Sequence, residues 1–566
     1  MAPLDPANPL IVHADRTVVL ETFHPRAEEA RVAIAPFAEL ERSPEHLHTY
    51  RITPLSLWNA ASAGFDGAVI VAALRRFSKF ALPQSLEADV AELAGRWGRL
   101  RLDTVDGELQ LQVAAGDEAL LVEVARHDAV APRLGPARGA RAINVALGDR
   151  GVLKQALLGV GWPVQDVAGY QEGEALAIDL ADGLDVRAYQ AEAAEAFFLA
   201  GSAAGGSGVV VLPPGSGKTV VGLVAMARVG QRTLILTTSR TSVAQWRREL
   251  RAKTSLADDQ VAEYGAGRRK GVAPVTLCTY QMLTTRARGA DAGDVASYPH
   301  LDLMRRHDWG LIVYDEVHLL PAPVFRLTAE IQARRRLGLT ATLVREDGRE
   351  GDVFSLIGPK RYDRPWRELE KDGWIAAADC CEVRLRLPEG ERMAYALADP
   401  RARYRLAATT EAKDALVRAI LDAHEGAPAL VIGQYLDQLE RLAAALGAPL
   451  ITGATPQAER ERLFDAFRAG DVSRLVLSKV GNFALDLPDA ALLVQVSGAF
   501  GSRQEEAQRL GRVLRPKAHG AGASFYTLVA RETDEESFAH RRQRFLTEQG
   551  YAYRIMDGAE WLPVTP

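Results

Sequence analysis

Two short stretches carry residues suited to phosphate chemistry. The run Val209–Thr219 (VVVLPPGSGKT) reads as an apolar strand, a tight loop and the start of a helix over Val220–Arg228. Gly215 and Gly217 let backbone N–H groups turn inward around phosphate oxygens, with Pro214 and Ser216 in the same loop. Lys218 reaches the terminal phosphates, and the Thr219 hydroxyl suits Mg²⁺. Leu212 stands where the general pattern of such loops has its first glycine, so the strict motif is incomplete. The second stretch, Leu311–His318 (LIVYDEVH), delivers two adjacent carboxylates at the end of an apolar strand, where open α/β sheets place ligands. Asp315 would hold Mg²⁺ directly or through water, Glu316 would polarise an attacking water, and His318 would sense the γ-phosphate. Alone, each stretch has a plainer reading, a glycine-rich turn or a solvated acidic loop. In this order, within one sheet, they point to ATP.

Elements must hold these residues, and four regions can be separated. Over 1–100 the apolar spacing is helical, as in Phe65–Phe80 and Leu86–Trp97, and predicts a helical N-terminal domain. Over 101–180 short alternating runs such as Glu108–Val113 and Ala119–Val124 predict a small mixed or β-rich unit, read as mixed α/β. Over 181–365 apolar strands (Val209–Leu212, Thr233–Thr237, Gly310–Tyr314) alternate with amphipathic helices, the pattern of a parallel sheet covered on both faces. Over 366–566 the pattern returns, with Ala429–Gly433, Arg474–Ser478 and Ala491–Val496 as strands. The expected fold is α/β, with two tandem doubly wound parallel-sheet domains behind the two smaller ones.

Bulk properties narrow the class. A chain of 566 residues is too long for one core. No run reaches the length of a membrane helix, and Met1–Pro9 is neither a signal nor a transit peptide, so a cytoplasmic, nucleoid-associated protein is expected. Three cysteines, Cys278, Cys380 and Cys381, are too few for a four-thiolate site, and Cys380 and Cys381 are expected in a strand of the last domain. His46 and His48 lack the neighbours of a metal site, and Trp58 is expected in a core. A net charge of −5 argues against a protein that coats nucleic acid, yet a local basic track is compatible with it.

Further motifs carry a resemblance. Asp315–His318 (DEVH) looks like the DExH box of superfamily 2 helicases, and Thr340-Ala341-Thr342 looks like their motif III, which couples hydrolysis to strand movement. Gln508–Arg515 (QRLGRVLR) is similar to motif VI, and Asp486 lies in a stretch similar to motif V. The resemblance implies two RecA-like domains, adenine recognition by Gln190 beside Arg187, and Arg512 and Arg515 acting on the γ-phosphate. Asp315–Phe325 (DEVHLLPAPVF), Leu337–Asp347 (LGLTATLVRED), Ser478–Pro488 (SKVGNFALDLP) and Ser502–Arg515 resemble the XPB family, in its bacterial branch. Arg345, Glu346 and Asp347 look like that family's RED element, which implies a part in engaging duplex DNA. The N-terminal Thr49–Asn59 resembles prokaryotic relatives as well. One departure is plain. Archaeal and eukaryotic relatives carry a sizeable basic helical thumb between the motor domains, whereas only Pro388–Lys413, with Arg401, Arg403 and Arg405, is available here.

Thr238–Trp246 (TSRTSVAQW), resembling motif Ia, and Thr279–Leu283 (TYQML) are candidates for the nucleic-acid face. Thr238, Arg240 and Thr279 suit contacts to phosphates, and Gln434 and Tyr435 stand where motif IV would touch a strand. Trp246 has two readings, stacking on a base or packing its helix against the sheet. The resemblance implies an ATP-dependent 3′→5′ DNA helicase with a place in DNA repair. The partner would be single-stranded DNA or a duplex with a 3′ tail, and relatives suggest a nuclease or other repair proteins. The competing readings are a duplex-DNA translocase that does not separate strands, and an interaction module with a dead motor core.

Overall fold

The structure is a computed structural model describing residues 5–42, 46–168, 173–202, 205–265, 271–285, 298–317, 331, 333–341, 350–364, 366–478, 490–498, 522–548 and 553–561. The chain divides into two compact units, Met1–Val211 with Gly217–Asp363, and Arg364–Pro566 with Leu212–Ser216.

The N-terminal region of the first unit holds strands β1 (Leu10–Val12), β2 (Thr17–Glu21), β3 (Glu39–Arg42) and β4 (Leu47–Arg51). They form an antiparallel sheet in the order β1-β2-β4-β3, packed with helices α1 (Ala27–Ile34), α2 (Pro54–Ser62), α3 (Gly67–Phe77) and α4 (Gln84–Gly95). The helices fall where apolar spacing put them; the sheet is a correction to the expectation of a purely helical region. Its strands have three to five residues, and β3 carries a register irregularity, so no period-two run was long enough to read. Trp58 is a core residue as expected, its indole N–H donating to the Leu93 carbonyl at 3.0 Å.

Next come β5 (Leu100–Val105), β6 (Glu108–Val113), α5 (Glu118–Ala125), β7 (Ala142–Asn144), α6 (Arg150–Gly159) and β8 (Val164–Asp166), with strand order β7-β6-β5-β8. This is the small mixed α/β arrangement expected, with Glu108–Val113 a strand as its alternation implied and Ala119–Val124 a correction, since it lies in α5. Its one parallel neighbour pair, β5 and β8, ends at Asp166.

The rest of the first unit is built on β9 (Ser207–Val211), β10 (Thr233–Thr237), β11 (Val261–Tyr264), β12 (Val275–Thr279), β13 (Trp309–Asp315), β14 (Ala333–Thr340) and β15 (Lys360–Asp363). All are parallel, in the order β11-β12-β10-β13-β14-β9-β15. Helices α7 (Ala188–Phe198), α8 (Lys218–Val229), α9 (Arg240–Lys253), α10 (Tyr280–Leu283), α11 (Pro299–Arg305) and α12 (Glu350–Leu356) accompany them. Strands β10 and β13 are buried along nearly their whole length, because side chains of both pleat directions enter a core.

The second unit repeats the plan with β16 (Ala378–Leu385), β17 (Ala429–Ile432), β18 (Leu450–Ile451), β19 (Arg474–Leu477), β20 (Leu492–Gln495), β21 (Ala523–Ala530) and β22 (Tyr553–Asp557). These are again all parallel, in the order β18-β19-β17-β20-β21-β16-β22. Its helices are α13 (Trp366–Lys371), α14 (Glu389–Leu397), α15 (Pro400–Thr409), α16 (Ala412–Ala423), α17 (Leu436–Leu446), α18 (Gln457–Ala469) and α19 (Asp534–Glu548). Two seven-stranded parallel sheets flanked by helices are the tandem RecA-like arrangement expected. Cys380 and Cys381 lie in β16, as anticipated, and burial pushes the Cys381 thiol up to about 11. No single described helix is long and apolar enough to cross a membrane.

Candidate phosphate and cation site

Strand β9 ends at Val211 and α8 begins at Lys218, so the loop between them turns the chain within a few residues. Gly215 and Gly217 both have φ of +80°, in the left-handed region where a side chain is strained. Ser216 closes the turn by donating its hydroxyl to the Pro213 carbonyl at 2.6 Å. Gly217 is the N-cap of α8 and contributes no side-chain acceptor to the helix N–H groups. A helix start of this kind favours an oxyanion through its N–H groups and dipole. Gly217 is constrained a second way: a Cβ there would stand 2.5 Å from Nε2 of Gln190.

Gln190 is buried in the first turn of α7, and its Oε1 accepts the backbone N–H of Arg187 at 3.1 Å. Arg187 in turn donates to the Tyr189 hydroxyl at 3.1 Å. Gln190, expected on the adenine side, therefore lies against the phosphate loop, with Arg187 next to it at the start of α7.

Strand β14 sits between β9 and β13 and places Thr340 beside Val211 and Leu339 beside Asp315. Thr340 and Ala341 are fully enclosed, so they belong between the loop strand and the acidic strand end. At that end the chain turns sharply, with Glu316 at φ +52°. Non-glycine residues in this conformation cluster where function fixes the backbone. Lys218 Nζ stands 3.7 Å from Glu316 Oε1.

Asp315 is held from two sides. Its Oδ2 accepts the indole N–H of Trp246 at 2.9 Å, and its backbone carbonyl accepts the Tyr280 hydroxyl at 2.8 Å. Burial, and then the Glu316 charge, push the Asp315 carboxyl up to about 6, against the opposing pull of Trp246 and Lys218. A carboxylate so desolvated beside another fits a divalent cation, whose charge offsets both costs. Thr219, half-buried in the first turn of α8, supplies the hydroxyl. One carboxylate and one hydroxyl match Mg²⁺, which keeps waters and substrate phosphates in its remaining positions.

Of the two readings of Trp246, packing against the sheet holds and its place among the nucleic-acid contacts is corrected. The side chain is 1% exposed, and Gly222 of α8 has no Cβ because one would lie 2.6 Å from the indole ring. Buried between α8 and the sheet, it cannot stack on a base. It bridges the phosphate helix to Asp315 instead. Tyr280, within the stretch expected at the nucleic-acid face, holds the Asp315 carbonyl from α10 instead, a role with no local pattern because its partner is distant in sequence.

The other nucleic-acid candidates occupy neighbouring strand ends. Thr238 follows β10, its carbonyl accepting Gln281 Nε2 at 3.1 Å, and Thr279 caps α10 by accepting the Met282 N–H at 3.4 Å. Thr237 and Thr279 are register partners, so these residues form a cluster on the β10–β12 side of the edge. Arg240 is exposed at the start of α9. His318, Thr342, Arg345, Glu346, Asp347, Asp486, Gln508, Arg512 and Arg515 lie outside the described residues.

Comparison with known proteins agrees with this geometry. The family model described as ERCC3/RAD25/XPB C-terminal helicase matches residues 369–562. Models described as type III restriction enzyme, res subunit, and as helicase conserved C-terminal domain match 183–345 and 10–138. A protein of Kineococcus radiotolerans named DNA 3′-5′ helicase XPB is 57% identical, over 97% of this chain and 96% of its own. Its namesake in Mycobacterium tuberculosis is 56% identical over 98% of each. The general transcription and DNA repair factor IIH helicase/translocase subunit XPB/SSL2 of Saccharomyces cerevisiae is 32% identical, over 97% of this chain and 72% of its own. The chain belongs to the XPB family of helicases.

Proposed function

We propose that this protein is an ATP-dependent DNA helicase of 3′→5′ polarity, which turns ATP hydrolysis into strand translocation and duplex separation in DNA repair. The observation that carries the reading is the partly buried Asp315–Glu316 pair beside Lys218, at the strand end next to the loop capped by Gly217. Near-full-length identity of 57% and 56% to proteins named DNA 3′-5′ helicase XPB supports DNA as the partner and the polarity.

In this reading Gln190 and Arg187 take the adenine side. The loop over Pro214–Gly217 and Lys218 binds the phosphates. Thr219 and Asp315 hold Mg²⁺, which supplies charge neutralisation on the β- and γ-phosphate oxygens. Glu316 orients and polarises the attacking water, and Arg512 and Arg515 act on the γ-phosphate, with Gln508 in the same motif and Asp486 in the stretch similar to motif V. His318 and Thr340–Thr342 relay the nucleotide state to a DNA face comprising Thr238, Arg240, Thr279 and Arg345–Asp347. A repair nuclease is the kind of partner such a motor would serve.

One observation favours the second reading, a duplex-DNA translocase without strand separation. The helical pair where relatives have a basic thumb spends part of its charge internally, with Arg405 paired to Asp437 at 2.8 Å. ATP hydrolysis measured with and without single-stranded DNA, together with unwinding of 3′-tailed and 5′-tailed duplexes, separates the two. DNA-stimulated hydrolysis with unwinding from the 3′ tail alone, abolished in Lys218→Ala, is expected. Stimulation without unwinding from either tail would favour the translocase, and no hydrolysis would overturn both.

A further inference from the structure

The ends of β10 and β12 are joined to the cation site by two hydrogen-bonded arms. Where β10 ends, the Thr237 hydroxyl donates to the Ser239 carbonyl at 3.1 Å, and the Ser239 hydroxyl accepts the Ser242 N–H at 3.1 Å as the cap of α9. Gln281 Nε2 reaches from α10 to the Thr238 carbonyl at 3.1 Å, and Thr279, the register partner of Thr237, caps α10. Thr238, Ser239 and Thr279 are half-buried while Arg240 and Gln281 are exposed, so this corner is open to solvent.

From the corner, both helices lead to one residue. Helix α9 brings the Trp246 indole N–H to Asp315 Oδ2 at 2.9 Å, and α10 brings the Tyr280 hydroxyl to the Asp315 carbonyl at 2.8 Å. Tyr280 is 3% exposed and its ring belongs to the core of the first motor region. Burial pushes its pKa well above the ordinary tyrosine value, so the hydroxyl stays a donor. Consecutive residues of a helical turn point about 100° apart. A single turn therefore holds Gln281 at the surface corner and Tyr280 against the cation site.

The carbonyl that Tyr280 holds belongs to the peptide group between Asp315 and Glu316. The orientation of that group sets ψ of Asp315 and φ of Glu316, which stands at +52°. A non-glycine residue keeps such a backbone only where its surroundings fix it. Turning this one peptide would move both carboxylates, including Glu316 Oε1, 3.7 Å from Lys218 Nζ. Ångström-scale misplacement of a catalytic group costs large factors in rate.

We infer that Tyr280 and Gln281 are positioning residues that couple the nucleic-acid face to ATP hydrolysis. A DNA phosphate bound at the Thr238–Thr279 corner shifts α10 through Gln281, and Tyr280 passes the shift to the Asp315–Glu316 peptide. This rests on the proposed reading of the corner as a DNA face and of Asp315 and Glu316 as the hydrolytic pair. Coupling of this kind is reciprocal: DNA changes nucleotide affinity by the factor by which nucleotide changes DNA affinity.

Tyr280→Phe keeps the ring in the core and removes one hydroxyl, and Gln281→Met keeps the length of an exposed side chain and removes the amide. Both are compared with wild type in the full-length chain, with Lys218→Ala setting the background. Thermal melting, ATP turnover without DNA and at saturating single-stranded DNA, and affinity for a non-hydrolysed ATP analogue with and without DNA are measured. Each variant is expected to lower the DNA stimulation of turnover about fivefold and to bring the two analogue affinities together. Full stimulation in either folded variant overturns the linkage. So does a fall in turnover by the same factor with and without DNA, the mark of a purely structural role. If Tyr280→Phe melts early, Gln281→Met alone decides. Wild-type hydrolysis that ignores DNA would overturn the DNA-face reading and the linkage with it, whereas stimulation kept in wild type and variants alike would overturn the linkage alone.

Discussion

Two partly buried carboxylates in the first unit end parallel strands and reach opposite states. Asp166, at the end of β8, accepts Arg150 Nε at 3.0 Å and Lys154 Nζ at 2.9 Å. Burial pushes its carboxyl up, but the charges of those two residues prevail and hold it at about 2. Asp315, at the end of β13, accepts a neutral indole N–H and has Glu316 as its neighbour, and it stands at about 6. The small region thus neutralises its buried charge internally. The motor region leaves its own charge short of cations, and that shortfall is what a ligand can fill. A satisfied ion pair is architecture; an unsatisfied one, next to a phosphate loop, is a site.

Breaking the satisfied member should cost the most. Asp166→Asn leaves Arg150 and Lys154 buried against a neutral partner, and should lower stability by about 3–5 kcal/mol in urea unfolding. Hydrolysis by the remaining folded protein should be unchanged. The isosteric change at the other strand end should invert the pattern. Asp315→Asn should reduce ATP turnover about 100-fold or more while leaving metal-free stability equal or higher.

The pH profile sharpens the contrast. Asp315 binds a proton more tightly folded than unfolded, so the metal-free protein loses stability as pH rises from about 4 through about 6, on the order of 1–3 kcal/mol. Asp166, being depressed, adds stability that is present above its ordinary carboxylate range and lost only as pH falls toward about 2. Asp315→Asn should remove the first transition from a urea series across pH and leave the second. The smallest effect belongs to Trp246→Phe. Losing the indole N–H should cost about 1–2 kcal/mol and shift the Asp315 transition to higher pH, since that bond holds the carboxyl down.

Much of this was legible beforehand for physical reasons. The strands over Val209–Leu212, Thr233–Thr237 and Gly310–Tyr314 are apolar on both faces, which only a sheet covered twice explains, and the loop over Gly215–Lys218 marks its ligand edge. Contacts made by single atoms across long separations were not legible. The Trp246 indole meets Asp315 across 69 residues, and the Tyr280 hydroxyl reaches the same residue's carbonyl across 35. That Trp246 packs its helix against the sheet was legible, whereas its seat against Gly222, where a Cβ would lie 2.6 Å from the indole ring, was not. The N-terminal sheet escaped because strands this short give too few alternations to outweigh the helical spacing beside them.

Binding of a non-hydrolysed ATP analogue, titrated with and without Mg²⁺ into wild type and Asp315→Asn, tests the shortfall at Asp315 most directly. Mg²⁺ should tighten binding severalfold in wild type and leave Asp315→Asn nearly indifferent to the metal. Equal tightening in both proteins would contradict Asp315 as the carboxylate that holds the cation.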